Sequence, residues 1–466
     1  MDCPLFAVRK DVEPSCCDHL RLPVEHVNPV SEVAPAAPDE PTSFRTPLAF
    51  LLLCGVGLFA IFSSTMSKSP VLPLFARFLG ASPAQLGFVA AASTYTGILL
   101  SIPAGVLSDA WGRKRVLVLA GVVFASAPFL YLLVHTPAQL AAIRAFHGAA
   151  TAIFGPVALA YVADLAPVRR GERMGWYSSA TLIGRSLAPL AGGLILAKPD
   201  SYGIVYLVCG ASGATALVLG IALPGRKARS EGGGVRSESN GNGVAVGAAP
   251  TGEAKSPWRV AREGLLFALR NRTVLGASLI EAMQYLAFGA VETFLPIYAL
   301  DHGIPASHIG AILGAQIATI ALTKPIMGRL SDTVGRVPVI AGGLILGSLA
   351  TAAFALSPHI ALLAVAATIF GLSMSIVTAS TSALAADATH AAHFGSSLGV
   401  LSTIMDIGHS SGPVLAGFLV ASLGFPAMWG IVGGALLIAS LLFALTPRSG
   451  QRHAREPMNN LNNLTR

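Results

Sequence analysis

Twelve apolar runs, each long enough to cross a bilayer as a helix, constrain this chain more than any other feature of its sequence. The hydrocarbon core of a bilayer is about 30 Å thick and needs roughly 20 apolar residues of helix to span it. Six of the runs precede a polar stretch and six follow it. The predicted helices, numbered 1 to 12, cover 47–67, 84–107, 116–135, 138–163, 174–197, 203–223, 274–299, 308–329, 337–356, 360–386, 395–422 and 426–446. The sequence therefore predicts an all-α membrane protein with twelve transmembrane helices.

The composition agrees with this interpretation, because 53% of the residues are hydrophobic and only 12% are charged. An ordinary soluble domain carries about 25% charged residues. The formal charge of +8 does not favour nucleic-acid binding, since the basic residues lie in short loops between apolar runs. The five cysteines have no spacing typical of a metal site or a disulfide framework. We expect no metal and no cofactor, and the sequence has no catalytic pattern that favours an enzyme.

Basic residues cluster in alternate loops, which predicts the orientation of the chain. Arg113–Arg115 follow predicted helix 2, Arg169–Arg173 contain three arginines after predicted helix 4, and further basic residues lie between predicted helices 6 and 7. The loops on the other side contain only Lys68, Arg77 and Lys198. By the positive-inside rule, the strongly basic loops and both termini are predicted to be cytoplasmic. A bacterial inner membrane is the predicted location.

Five segments follow from these patterns. The polar, Pro-rich residues 1–46 are predicted to form a disordered cytoplasmic tail. Residues 47–224 are predicted to form the N-terminal six-helix bundle, and 225–273 a cytoplasmic linker. Residues 274–446 are predicted to form the C-terminal six-helix bundle, followed by a cytoplasmic tail over 447–466.

A short basic turn that contains two glycines occurs once in each half of the chain. Its recurring residues are Gly105, Asp109, Gly112 and Arg113 in the first copy and Gly328, Asp332, Gly335 and Arg336 in the second. Every residue of the second copy lies 223 positions after its counterpart, and Asp387 lies at the same offset from Asp164. A fixed offset between similar segments indicates an internal repeat. The repeat predicts two pseudo-symmetric six-helix bundles.

The repeated turn resembles the loop signature between the second and third helices of the major facilitator superfamily. The resemblance implies two bundles around one central substrate site. It also implies that Asp109 faces the positive N-terminus of a helix in the other half, and that Arg113 pairs with Asp164. In the second half the corresponding residues are Asp332, Arg336 and Asp387. These residues are predicted to form a cytoplasmic latch, whereas the alternative is a turn whose basic residues only set topology.

Predicted helix 5 carries a second motif, formed by Gly175, Gly184, Pro189, Gly192 and Gly193. It is similar to the fifth-helix motif of the drug/proton antiporter branch of the family. Ala188 departs from that motif, which has Gly at this position. Small residues permit close helix packing, so a packing seam is the structural alternative. The resemblance implies an exporter.

Charged side chains within predicted helices 4, 5 and 11 are candidate cavity residues, because ionisable groups at membrane depth are expensive. Arg144, with His147 on the same helical face, resembles the fourth-helix motif linked to proton coupling in the family. The alternative is that Arg144 lies near the outer face and snorkels to water. Arg185 on predicted helix 5, with Asp406 and His409 on predicted helix 11, favours a polar cavity or a pair between the halves.

Predicted helix 7 carries a polar and aromatic stripe of five residues at helical spacing: Glu281, Gln284, Tyr285, Phe288 and Glu292. The stripe is predicted to face the central cavity, because an ionised acid against hydrocarbon is costly. Burial favours the neutral form of a carboxyl group, so Glu281 or Glu292 is the predicted proton carrier. Tyr285 and Phe288 would form an apolar or cation–π wall. Solvation at a helix end is the alternative, above all for Glu292.

These features together predict a secondary active transporter that works by alternating access. We expect proton-coupled efflux of small amphipathic, drug-like compounds by a monomer in the lipid bilayer, with the proton gradient as its energy source. One alternative is a transporter of a specific solute, such as a metal complex, an organic anion or a nutrient. The other is a non-transporting membrane scaffold or receptor, in which the intramembrane charges could be replaced freely.

Overall fold

The computed structural model describes most of the helical part of the chain. The described residues are 45–165, 170–198, 201–224, 266, 270–356, 358–389 and 394–445. The predicted tails and nearly all of the predicted linker lie outside them. Every regular element within these ranges is helical.

Seven helices form the N-terminal half: α1 (Arg45–Met66), α2 (Val71–Phe78), α3 (Pro83–Trp111), α4 (Arg113–Leu130), α5 (Pro137–Leu165), α6 (Arg170–Ile195) and α7 (Tyr202–Ala222). Five helices form the C-terminal half: α8 (Arg272–Asp301), α9 (Ala306–Val334), α10 (Arg336–Leu356), α11 (Ile360–Asp387) and α12 (Phe394–Leu445). Each of the twelve predicted segments coincides with one of these helices or with one limb of α12.

Two of the spans are not single straight helices. The long helix α12 contains Gly424 with a φ of 80°, a left-handed conformation that glycine adopts without strain, so its two limbs correspond to two predicted segments. The first span runs over Leu48–Phe78 and includes both α1 and α2. The predicted end of helix 1 at residue 67 agrees with the end of α1 at Met66, and the short helix α2 extends the span beyond it. Pro70 lacks the amide proton that a continuous helix requires, so it breaks the span and does not end it.

Nine helical stretches in the described part of the chain are long and apolar enough to cross a membrane. The stretch Gly399–Leu445 contains both limbs of α12. Large apolar side chains such as Leu99, Leu322 and Leu349 remain exposed in the isolated chain. Exposed apolar surface on this scale is typical of helices that face lipid, because lipid tails are as apolar as these side chains.

Three helix pairs make most of the contact between the halves: α3 packs against α12, α6 against α9, and the short α2 against α8. A Cβ atom on Gly87 of α3 would collide with the carbonyl oxygen of Pro413, and one on Gly310 of α9 would collide with that of Pro189. Gly310 lies 223 positions after Gly87, and Pro413 lies 224 positions after Pro189. The same contact therefore occurs twice, once in each direction across the interface.

A second pair of glycine contacts repeats this relation. A Cβ atom on Gly417 would lie 2.5 Å from the carbonyl oxygen of Pro83, and one on Gly193 would lie 2.5 Å from that of Ala306. These four positions are again related by the repeat offsets. The two halves are thus pseudo-symmetric, and their backbones touch at the ends of the helices that lie away from the basic loops.

The close approach at Gly310 leads to a stability prediction. In Gly310→Ala, the added methyl group meets backbone atoms of α6, and overpacking of this kind typically costs about 1–3 kcal/mol. Gly276→Ala is the matched control, because a Cβ atom at that position would have open space around it. We expect Gly310→Ala to unfold at a lower temperature than Gly276→Ala in detergent. Equal melting temperatures would contradict the close backbone contact between α9 and α6 at Gly310.

Candidate functional site

Three charged or titratable side chains from both halves meet at one carboxylate oxygen. The Lys68 Nζ atom lies 2.8 Å from Oε2 of Glu292, and the His409 Nε2 atom lies 3.3 Å from the same oxygen. The Lys68 and His409 nitrogens are themselves 3.4 Å apart. Lys68 lies in the break between α1 and α2, Glu292 on α8 and His409 on α12. We call this group, Lys68, Glu292 and His409, the interhalf cluster.

The interhalf cluster is largely shielded from solvent. The side chains of Lys68, Glu292 and His409 are 25%, 11% and 17% exposed. The rings of Tyr285 and Phe288 lie 5.8 Å and 5.7 Å from the His409 imidazole and cover it. Charges in such surroundings interact more strongly than in water. Removal of one partner from a buried pair is strongly destabilising, so the cluster can hold the halves together or release them.

A small void borders Glu292 and is lined by polar atoms that have no partner. Ser69 and Gln316 line it together with Phe288 and Leu313. The Ser69 hydroxyl and both amide atoms of Gln316 are buried without a hydrogen-bond partner within the described ranges. Buried polar groups are almost always hydrogen-bonded. The void is too small to hold a water molecule, so the Glu292 carboxyl can reach these atoms only if the neighbouring helices move apart.

The other polar residues of α8 face a different neighbour. Glu281 is buried and accepts a 2.6 Å hydrogen bond from the Thr381 hydroxyl of α11. Gln284 is also buried and donates to the Ser373 hydroxyl of α11 over 3.2 Å. Glu281 and Glu292 are eleven residues apart, or roughly 16 Å along a helix. The structure thus brings Tyr285, Phe288 and Glu292 to the interhalf cluster, whereas Glu281 and Gln284 pack within the C-terminal half.

Arg144 and His147 lie inside the N-terminal half. The Arg144 guanidinium donates to the Ser93 hydroxyl of α3 at 3.0 Å and to the Tyr131 hydroxyl at 3.4 Å. The His147 Nδ1 atom lies 3.4 Å from the same Tyr131 hydroxyl. Arg144 is only 4% exposed, so the alternative that it snorkels to the surface is wrong. Its hydrogen bonds link α3 and α5, and neither residue joins the interhalf cluster.

Two further candidates lie near the cluster without a described ion pair of their own. The Arg185 side chain on α6 is exposed, and Asp406 on α12 is partly buried one turn before His409. Both lie within electrostatic range of Tyr285, and Asp406 also lies within range of Lys68. They can therefore alter the electrostatic potential around the cluster without touching it.

The repeated turns form matched ion pairs at the basic ends of the halves. The Arg113 Nε atom lies 3.5 Å from Asp164, and the Arg336 Nε atom lies 3.0 Å from Asp387. Arg336 also pairs with Asp332. Each of these pairs joins helices of one half, as the resemblance implies for Arg113. The backbone of Asp109 belongs to α3, but its side chain lies outside the part of the chain that the structure describes.

The predicted helix-5 motif lies on α6, where most of its glycines face other helices. Gly184 packs against the Leu58 carbonyl of α1, and Gly192 lies near Val71 of α2. Gly193 and Pro189 pack against α9, as described above. Gly175 has open space around it. The motif is therefore a packing seam that places α6 between its own bundle and the other half.

The sequence-based prediction missed Lys68, Ser69 and Gln316. Lys68 was expected in an outer loop, and this is wrong because the first span continues through the break to Phe78. The prolines after Lys68 were the available signal, since Pro70 and Pro73 can break a helix within a span as well as end it. No sequence pattern marks Gln316, whose significance comes from its position in the void beside Glu292.

The family model of the Major Facilitator Superfamily matches residues 53–285 and 277–462, which is most of the chain. The chain belongs to the major facilitator superfamily. This facilitator is 26% identical over 401 residues to an uncharacterized MFS-type transporter of Methanocaldococcus jannaschii, an alignment that covers 83% of the chain and 94% of that protein. It is also 30% identical over 175 residues to the quinolone resistance protein NorA of Staphylococcus aureus. That match covers only 37% of the chain and 42% of NorA.

Solved facilitator structures share the fold. The nucleoside transporter NupG superposes with a TM-score of 0.68 at 15% identity and covers 87% of this chain and 100% of its own. A bacterial homolog of the human lysosomal transporter Spinster, in an inward-facing and unoccupied conformation, gives a TM-score of 0.65 at 17% identity. It covers 86% of this chain and 95% of its own. At these identities the likeness concerns the fold alone. The match with the family model, together with the apolar helices, identifies the chain as a multi-pass membrane transporter.

Proposed function

We propose that this facilitator exports small amphipathic compounds by alternating access, driven by protons that bind at Glu292. The observation that carries the proposal is the interhalf cluster, in which one carboxylate of the C-terminal half holds a lysine of the N-terminal half at 2.8 Å. A transport cycle needs a group whose charge state favours one arrangement of the two halves over the other. A carboxylate at the seam between the halves meets this requirement.

The interhalf cluster favours the conformation in which the two halves contact each other at the helix ends that lie away from the basic loops. The ionised Glu292 binds Lys68 across the seam, close to the glycine contacts that join α3 with α12 and α6 with α9. When the halves part, Glu292 loses Lys68, and an uncompensated carboxylate at membrane depth is costly. A proton or a cationic substrate must then take the place of the lysine. Competition between proton and substrate for one carboxylate couples their movements in opposite directions.

The surroundings of Glu292 favour amphipathic substrates. Phe288 lies beside the carboxylate at the void, and Tyr285 contacts both Phe288 and the His409 ring. Leu313 and Ile317 add apolar surface. Aromatic faces next to a carboxylate attract organic cations. The partial match with a quinolone resistance protein and the antiporter-like motif on α6 support drug-like substrates. The distribution of basic residues among the loops supports proton entry from the side opposite the cytoplasm.

Transport by the purified full-length protein in vesicles tests the proposal. An imposed pH gradient is expected to drive ethidium, an amphipathic cation with useful fluorescence, against its concentration gradient. Dissipation of the gradient with a protonophore should stop the uphill movement. The same rate with and without a pH gradient would contradict proton coupling, and ethidium movement with the protons would contradict antiport.

A further inference from the structure

A second cavity lies between the halves at the end away from the basic loops. Its volume is about 330 Å³, within the range of roughly 300–1,000 Å³ that is typical of small-molecule sites. Leu86 of α3 forms one wall, and Phe294 and Ile297 of α8 form the opposite wall. Phe425 of α12 also lines the cavity. None of its lining residues belongs to the interhalf cluster.

The polar part of this cavity is one ion pair that crosses the seam. Arg77 of α2 pairs with Asp301 at the end of α8, and the two side chains are 45% and 28% exposed. Both residues line the cavity. An ion pair that is open to solvent contributes little net stability. Its two side chains can therefore separate and bind a guest with little loss of free energy. The cavity thus offers one cation and one anion beside an apolar floor.

We propose that this cavity binds a small amphipathic zwitterion. The carboxylate of the guest would bind the Arg77 guanidinium, whose geometry suits bidentate contact with a planar anion. The ammonium group of the guest would bind Asp301, and a ring would lie against Val420 and Phe425, which are among the less buried apolar residues of the lining. A guest with a single charge satisfies one member of the ion pair and leaves the other without a partner. The two opposite charges of the lining therefore favour a guest that carries both an anionic and a cationic group.

Occupation of the cavity has a consequence for transport. The guest contacts residues of both halves at once, so it binds the arrangement in which these ends are closed and not one in which they are apart. A ligand that binds one of two conformations shifts the population toward it. The zwitterion therefore acts as an inhibitor from the outer side. This inference goes beyond the proposed function, because it requires neither proton coupling nor export.

Three forms of one fluorescent compound test the site on the purified full-length protein. Norfloxacin carries a carboxylate and an ammonium group, its methyl ester keeps only the cation, and its N-acetyl derivative keeps only the anion. We expect norfloxacin to bind about tenfold more tightly than either derivative, the effect of one additional charge-assisted contact. In Arg77→Gln and in Asp301→Asn this preference should disappear. Lys198→Gln, which removes an exposed charge outside the cavity, should leave it unchanged.

Two results would overturn the proposal. The first is equal affinity of the wild-type protein for the three compounds, which needs no variant and so does not depend on how any variant folds. The second is that norfloxacin binding survives Arg77→Gln but is lost in Glu292→Gln, which would place the compound at the interhalf cluster. Neither result would bear on uphill ethidium transport, so failure of this site is distinguishable from failure of the proposed function.

Discussion

Replacement of Glu292 by Gln is expected to abolish pH-driven uphill transport, whereas the same substitution at Glu281 should leave most of it intact. The amide is close in size to the carboxylate but can neither carry the proton nor neutralise Lys68. Because no proton can bind at the amide, uphill transport should fall to the level of vesicles without protein, and loss of one partner from a buried pair should also lower the stability of the fold. Glu281 is bonded to Thr381 within the C-terminal half and does not cross the seam.

The two glutamates form a matched comparison, because they lie on the same helix and receive the same substitution. Ethidium fluorescence in vesicles with an imposed pH gradient measures uphill transport. Exchange of labelled for unlabelled substrate without a gradient measures whether the halves still move. We expect Glu292→Gln to lose the first activity and to exchange ethidium only slowly, because the carboxylate also binds the cationic substrate, whereas Glu281→Gln should retain both activities. If Glu281→Gln loses uphill transport and Glu292→Gln retains it, the assignment of the proton site to Glu292 is wrong.

Much of the fold could be predicted because its signals are local. A run of about 20 apolar residues is readable without knowledge of any partner, and the twelve runs coincide with the described helices. The constant offset between the repeated turns also predicted the pseudo-symmetry, which the glycine contacts at Gly87 and Gly310 display. These features depend on neighbours in the sequence or on a fixed spacing, and both are present in a single chain.

The composition of the site could be predicted only in part, because its contacts join distant segments. Glu292 and His409 were both candidates, and the structure brings them to 3.3 Å. Their common partner Lys68 was missed, since nothing in the sequence shows that the break after α1 lies against α8. Helical spacing also placed Glu281 on the same stripe as Glu292. Helical spacing predicts which side of α8 a residue lies on, but that side contacts different parts of the protein along its length. It packs against α11 at Glu281 and against the N-terminal half at Glu292.

The contacts of Arg144 could not be predicted from the sequence either, although the residue itself was identified. The charge at membrane depth was identified from the sequence, and the structure places it among Ser93, Tyr131 and His147 within one half. A buried guanidinium can donate to hydroxyl groups of its own bundle or to a carboxylate across the seam, although only the carboxylate neutralises its charge. The sequence contains both kinds of acceptor, so it could not decide between them.

Exchange of the two charges in the interhalf cluster is expected to restore what each single reversal removes. Lys68→Glu alone places two carboxylates about 3 Å apart, and Glu292→Lys alone gathers two ammonium groups beside His409; each repulsion opposes closure of the seam. The double variant Lys68→Glu, Glu292→Lys again pairs opposite charges between the halves. Residues in direct contact typically show coupling of about 0.5–3 kcal/mol. We therefore expect recovered thermal stability and recovered exchange in the double variant.

The charge exchange separates the role of Glu292 as a tether from its role as a proton carrier. In the double variant the acidic group lies on the N-terminal half, so the seam closes, but the carboxylate no longer lies on α8 beside Phe288 and the His409 imidazole. Exchange should return while pH-driven uphill transport stays low. Lys68→Glu combined with Glu281→Lys has the same net charge but no contact across the seam, and it should recover neither property. Equal recovery in both double variants would show that net charge, and not the 2.8 Å contact between Lys68 and Glu292, controls the halves.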